Sequence, residues 1–209
     1  MTHQHDDEVG SIMTTGGFLE RLHMRQRITF LVNRYEIRLD DGSGGEGELV
    51  AFAEQKRARL KEQVTLFTDE RKEEVLASFQ ARKVLDLASG YDVRDGEGNA
   101  IGFFRKDFRR SLTRSTWDVE QPGSPAARGA ERSLAVAVLR RAWEFLPFID
   151  GLPFPVPYHF DFTAGGRTVL SVRKKFALRD RYVIDVTSPD LDRRLVIAQA
   201  VALDALQSR

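Results

Sequence analysis

The chain has 209 residues, 42% of them apolar and 30% charged, with a net charge of +1 at pH 7 and no cysteine. That length and balance allow one large domain with a real core and exclude a disordered chain. The small net charge excludes a global field that would draw the protein to nucleic acid or lipid, and the missing cysteines exclude disulfides, thiolate metal sites and cysteine nucleophiles.

The first residues, MTHQHDDEVG, are acidic and lack an apolar core, so no signal peptide is expected, and residues 1–24 read as a flexible tail. Within it GFLERLHM (17–24) has room for one helical turn. From Arg27 the signals turn strand-like. ITFLVNRYEIRLDD (28–41) holds two β-rich runs around Asn33-Arg34, GSGGEGE (42–48) is a loop, and residues 48–70 continue as extended segments. KEEVLASFQARKVLD (72–86) alternates in part. YDVRDGEGNAIGFFRKDF (91–108) is the clearest hairpin, two β-rich arms around a Gly-rich turn.

EQPGSPAARG (120–129) reads as a linker, and ERSLAVAVLRRAWEFL (131–146) carries a helical stripe that Pro147, Pro153, Pro155 and Pro157 terminate. Trp143, Phe145, Phe148 and Ile149 suit either packing across the mouth of a barrel or an interfacial membrane contact. Strands resume in YHFDFTAGGRTVLSVRKKF (158–176) and RYVIDV (181–186). Ser188 or Asp190 then caps a final helix over 190–207, with Asp190 and Asp192 at its positive end.

Two segments repeat. Tyr91 to Val119 and Tyr158 to Val186 are each 29 residues long, and both run from Tyr through a glycine turn and a basic cluster to a closing strand. A fainter copy starts at Tyr35. Repeated meander units predict one curled antiparallel sheet. In the final helix only Gln199 and Asp204 interrupt an apolar run from Leu195 to Leu206. It is too short to span a bilayer and has no solvent face, so it is expected inside protein. A sheet of about a dozen strands must protect its edges, and closed into a barrel it encloses a space its own side chains cannot fill. The helix suits that space. Asp204 is expected near its exit, reached by water or met by Arg193 or a strand cation.

The series YDVRDGEGNAIG, RKDF and SLTRSTW (Tyr91 to Trp117) resembles the tubby C-terminal-like superfamily, whose members include phospholipid scramblases and LURP-one-related proteins. SPDLDRRLVIAQAVALD (188–204) is similar to the scramblase C-terminus. The resemblance covers about residues 27–206 and implies a mainly β (α+β) fold, a closed, roughly twelve-stranded antiparallel barrel around a central buried C-terminal helix. Residues 25–209 then form a single domain, with 120–157 (linker, helix and Pro-rich stretch) as one helical insertion. Scramblases carry an acidic calcium segment before that helix. Here Arg179 and Arg181 occupy the positions of its first acidic ligands, so the calcium site is not carried over.

The candidate binding residues are two basic clusters: Arg105, Lys106, Arg109, Arg110 and Arg114, then Arg173, Lys174, Lys175, Arg179 and Arg181. On neighbouring strands they would lie side by side and attract phosphates or an anionic membrane. The competing arrangement is a charge-paired exterior, with Asp107, Asp118, Asp180 and Asp185 as partners. No catalytic motif, metal set or cofactor fingerprint appears; His159 stands alone in a strand. The expectation is a non-catalytic, cytoplasmic module. It would bind acidic phospholipid headgroups of phosphoinositide type, or a protein partner at a membrane surface, through basic barrel-wall patches. Scramblase-like lipid handling and nucleic-acid-binding regulation are the alternatives.

Overall fold

A computed structural model describes residues 11–14, 17–28, 32–56, 63–82, 90–107, 115–132, 158–175 and 180–207. The strands are β1 (Ser11–Thr14), β2 (Gly17–Ile28), β3 (Val32–Asp40), β4 (Glu46–Lys56), β5 (Val64–Phe67), β6 (Val75–Ala81) and β7 (Tyr91–Asp95). They continue as β8 (Ala100–Lys106), β9 (Thr116–Glu120), β10 (Ala127–Glu131), β11 (His159–Ala164), β12 (Arg167–Lys175) and β13 (Arg181–Val186), before helix α1 (Arg193–Gln207). Every strand from β3 to β13 pairs antiparallel with its successor. β2 closes the ring, pairing with β13 over Glu20–Arg25 and with β3 over Leu22–Ile28. The result is a closed twelve-stranded barrel, with β1 added as a short hairpin on β2.

Alternation explains the wall. Leu22, Met24 and Gln26 of β2 are buried while Arg21, Arg25 and Arg27 reach outward, and on β12 Leu170 and Val172 are buried between more exposed neighbours. Three of the expectations need correction. The segment assigned to a flexible tail holds β1 and most of β2, so the domain starts before residue 25, and GFLERLHM is strand rather than helical turn. Asn33-Arg34 lies within β3 rather than at a turn. The linker 120–129 supplies most of β10, a full stave of the barrel. The helix expected over 131–149 and the Pro-rich stretch after it fall almost wholly outside the described residues. The two clear repeats are the meanders β7–β8–β9 and β11–β12–β13.

Helix α1 runs down the barrel, and Leu195 through Ala205 are all buried. Asp192, not Ser188 or Asp190, is its N-cap: its Oδ1 accepts the Arg194 amide at 2.8 Å. Gln121, in the β9–β10 turn, clamps the approach. Its Nε2 donates to the Asp190 carbonyl at 2.6 Å, and its Oε1 accepts the Asp192 amide at 2.7 Å. One turn in, Leu195 lies against Gly102 of β8. A Cβ at Gly102 would stand 2.6 Å from Leu195 Cδ2 and 2.8 Å from the Glu120 carbonyl oxygen. The wall there has no room for a methyl group.

Asp204 anchors the other end of the helix. It is buried, contrary to the expectation of a water-exposed exit. Tyr35 donates its hydroxyl to Oδ2 at 2.9 Å, and Tyr182 donates to Oδ1. Gln26 Nε2 in turn donates to the Tyr35 oxygen at 3.2 Å. Arg193 is engaged elsewhere, with Glu20, and Lys174 is the strand cation whose charge Asp204 feels. Burial raises the Asp204 pKa above the ordinary carboxylate value. The two tyrosine hydroxyls and Lys174 offset that only in part, and Asp180 adds to it.

Two predictions follow from this packing. Gly102→Ala should destabilise the protein by about 1–3 kcal/mol through overpacking. The part of that loss due to Leu195, though not the part due to the Glu120 carbonyl, should vanish in a Leu195→Ala background, measured as a denaturant double-mutant cycle; simple additivity would show that the two sites do not touch. For Asp204, a raised pKa means that its folded-state stabilisation is complete below the unfolded value and is lost as pH rises through the folded value. Asp204→Asn should therefore gain on the parent as denaturation is repeated from acid to neutral pH. Asp204→Ala, which strands two hydroxyls, should lose about 1–3 kcal/mol at every pH. A parent–Asn difference that does not change with pH would contradict this account.

Candidate functional site

With an apolar helix filling the barrel, the exterior carries the charged groups, and strand alternation decides which ones. The first basic cluster lies on β8 and the second on β12, so β9, β10 and β11 separate them. They are not side by side, as the sequence suggested. Arg109, Arg110, Arg114 and Arg179 lie outside the described residues. Lys106 closes β8. Lys174 is no part of an outer face. It shares the inward phase of Leu170 and Val172, sits over the Tyr158 and Tyr182 rings at 5.8 and 5.7 Å, and meets Asp180 at 2.8 Å.

The remaining cations form a consistent pattern. Asp118 of β9 is clasped by Arg105 at 3.2 Å and Arg128 at 2.9 Å, one from each neighbouring strand. At the equivalent place in the second repeat, Asp185 of β13 is clasped by Arg21 at 2.6 Å and Arg173 at 2.8 Å. Glu54 of β4 is likewise held between Arg34, at 2.9 Å, and Lys72. In each clasp the carboxylate lies deeper than the cations. The Asp118 side chain is 7% exposed beneath arginines at 49% and 53%, and Asp185 is 14% exposed beneath arginines at 35% and 43%. The hydrogen bond to Asp118 and its negative charge hold the Arg128 pKa above its ordinary value. These pairs satisfy the charge-paired expectation, yet what they turn to solvent is guanidinium.

The densest basic face spans β12, β13 and β2. Lys175, Arg181 and Arg25 occupy one cross-strand row, with Arg173, Arg21 and Arg27 beside it. Lys175 and Arg181 are exposed and have no ion-pair partner among the described residues, whereas Arg25 meets Glu46 at 2.6 Å and Arg27 meets Glu36 at 3.0 Å. Arg21 falls in the stretch whose sequence reads as a tail, and Arg25 and Arg27 stand where the strand signals only begin, so none of the three is among the sequence's candidates. The alternating polar residues of RLHMRQR were the available signal.

His159 does not assemble a catalytic relay. Its Nε2 faces both Ser171 Oγ at 2.8 Å and Asp161 Oδ1 at 3.0 Å, so one nitrogen meets both the would-be nucleophile and the would-be orienting carboxylate. Asp161 also takes Arg132 at 2.7 Å. Burial lowers the His159 pKa, and Asp161 opposes the shift. The aromatic residues Tyr91, Phe104 and Trp117 stack in the interior with Phe79, where no nucleic-acid base can reach them.

Comparison with known proteins agrees with the architecture. The sequence profile of the LURP-one-related family matches residues 49–204, from β4 to the Asp204 anchor. No curated protein and no solved structure matches.

Proposed function

Because the chain belongs to the LURP-one-related family, part of the tubby C-terminal-like superfamily, we propose that it is a non-catalytic binding module that grips acidic phospholipid headgroups, or a protein partner at a membrane surface. The gripping surface is the basic face of β12, β13 and β2. One observation carries this reading: the ion pairs are layered, with carboxylates against the wall and cations outside, and Lys175 and Arg181 have no carboxylate partner among the described residues. A chain with a net charge of +1 can thereby turn a positive face outward. Arginine suits the task, since its planar fork can keep one edge on the carboxylate beneath and offer another to a phosphate oxygen. Contact at a surface is the mode considered, because no helix among the described residues is long and apolar enough to cross a membrane.

The test is sedimentation with phosphatidylcholine vesicles, alone or with phosphatidylserine. The parent should pellet only with the acidic vesicles and should be released by salt. Changing Arg173, Lys175 and Arg181 to Gln should weaken binding by about fivefold for each cation removed. Pelleting that ignores lipid charge, salt and these substitutions would dispose of the proposal.

A further inference from the structure

Two residues interrupt the apolar run of α1 between Leu195 and Leu206, and the Tyr35 and Tyr182 clamp accounts for one of them, Asp204. Gln199 is the other. It sits near the middle of the helix and is fully buried, and neither its Nε2 nor its Oε1 has a hydrogen-bond partner among the described residues. Trp117 of β9 is fully buried too, and its Nε1 is likewise unpaired among them. Folded proteins leave few such groups unpaired, because each has given up its bonds to solvent.

The topology brings the two into one quadrant of the bore. α1 runs closest to β6, β7 and β8. Leu195 lies against Gly102, and Gln199, four residues on, projects from the same helix face about 6 Å deeper. Phe104, two residues beyond Gly102 on the same inward side of β8, is deeper by about 6–7 Å. Gln199 therefore comes level with Phe104 and its cross-strand neighbours Tyr91 and Val119. The Trp117 ring centre is 6.3 Å from that of Phe104, and the rings of Phe79 and Tyr91 lie 5.5 and 5.2 Å from Phe104.

We infer that this quadrant is an internal site for a water molecule, held between the Trp117 indole and the Gln199 carboxamide. The water accepts from Trp117 Nε1 and donates to Gln199 Oε1, and so bridges a donor and an acceptor up to about 5.5 Å apart. The surroundings select so small and neutral an occupant. Phe79, Tyr91, Phe104, Val119 and Trp117 offer an ion no counter-charge, and a bore already filled by a helix has no room for a larger guest. The bridge gives the helix a polar fixed point midway between the Gln121 clamp at its entry and the Asp204 clamp near its end.

The experiment uses the full chain with both of its tryptophans, Trp117 and Trp143, labelled with nitrogen-15. Trp117→Phe deletes one of the two indole signals and so identifies it. In the parent, the Trp117 indole proton should show a cross-peak to water that has opposite signs in laboratory-frame and rotating-frame spectra, the mark of a held water rather than of proton exchange. The cross-peak should be lost in Gln199→Leu and in Gln199→Met, two apolar replacements of similar size; if one fails to fold, the other decides. A parent that lacks the cross-peak, or a cross-peak that persists in whichever variant folds, overturns the site. A guest heavier than water retained by the parent in native mass spectrometry overturns water as its occupant.

Discussion

Twelve antiparallel strands, spaced about 4.8 Å apart and tilted as closed barrels require, wrap a cylinder of about 12 Å backbone radius. Inward side chains fill a layer of about 6 Å on each side, which leaves a bore about as wide as one α-helix with its side chains, 10–12 Å. A wall of this circumference is therefore unstable unless something of helical diameter occupies it, and the rest of the structure answers that demand. The helix is rich in Ala and Val, which keeps it slender. Gly102 yields to Leu195 where the two approach most closely. Gln121 fixes the height at which α1 enters, and Tyr35 and Tyr182 fix the height at which it ends. β2 then seals the ring by pairing on both edges.

The same constraint explains what could be read along the chain. Helix α1 was legible because a helix with no polar face can belong only to an interior. The hairpins of the repeats were legible because their turns are marked by glycine. β10 was hidden for a packing reason. The Phe162 ring lies over Gly129 so closely that a Cβ there would stand 2.3 Å from Cε1, so the strand must use small residues and its sequence looks like a linker. β2 was hidden by its own composition, since a stave whose outer face carries Arg21, His23, Arg25 and Arg27, with Glu20 and Gln26 among its inward residues, has too few apolar residues to stand out. The partners of Asp204 could not be read at all. Tyr35 is 169 residues away, and only the closed topology brings it to the carboxylate.

The basic clusters show the same division. Their residue types were plain, but a run such as Arg173-Lys174-Lys175 does not reveal which members face outward. Strand phase resolves it: Lys174 turns in over two tyrosine rings while its neighbours turn out. The repeat explains why Asp118 and Asp185 each hold two arginines, since the same outward carboxylate sits between cationic staves in both copies. Depth follows from side-chain length. Aspartate has one methylene and stays against the wall, whereas arginine has three and carries its charge past it.

A plugged bore also limits where a module of this kind can act. The helix takes the space in which a barrel can hold a ligand, so the outside and the rims are the surfaces left for recognition. Exterior ion pairs add little to stability, typically 0–1 kcal/mol each. The fold is held by the apolar bore and the Asp204 clamp, and the arginines are not needed to keep it closed. They are thus free to exchange part of their hydrogen bonding for that of an incoming phosphate without loosening the barrel. Core and surface here are built separately, and the division follows from strand alternation: one face of each stave meets the helix, and the other meets solvent.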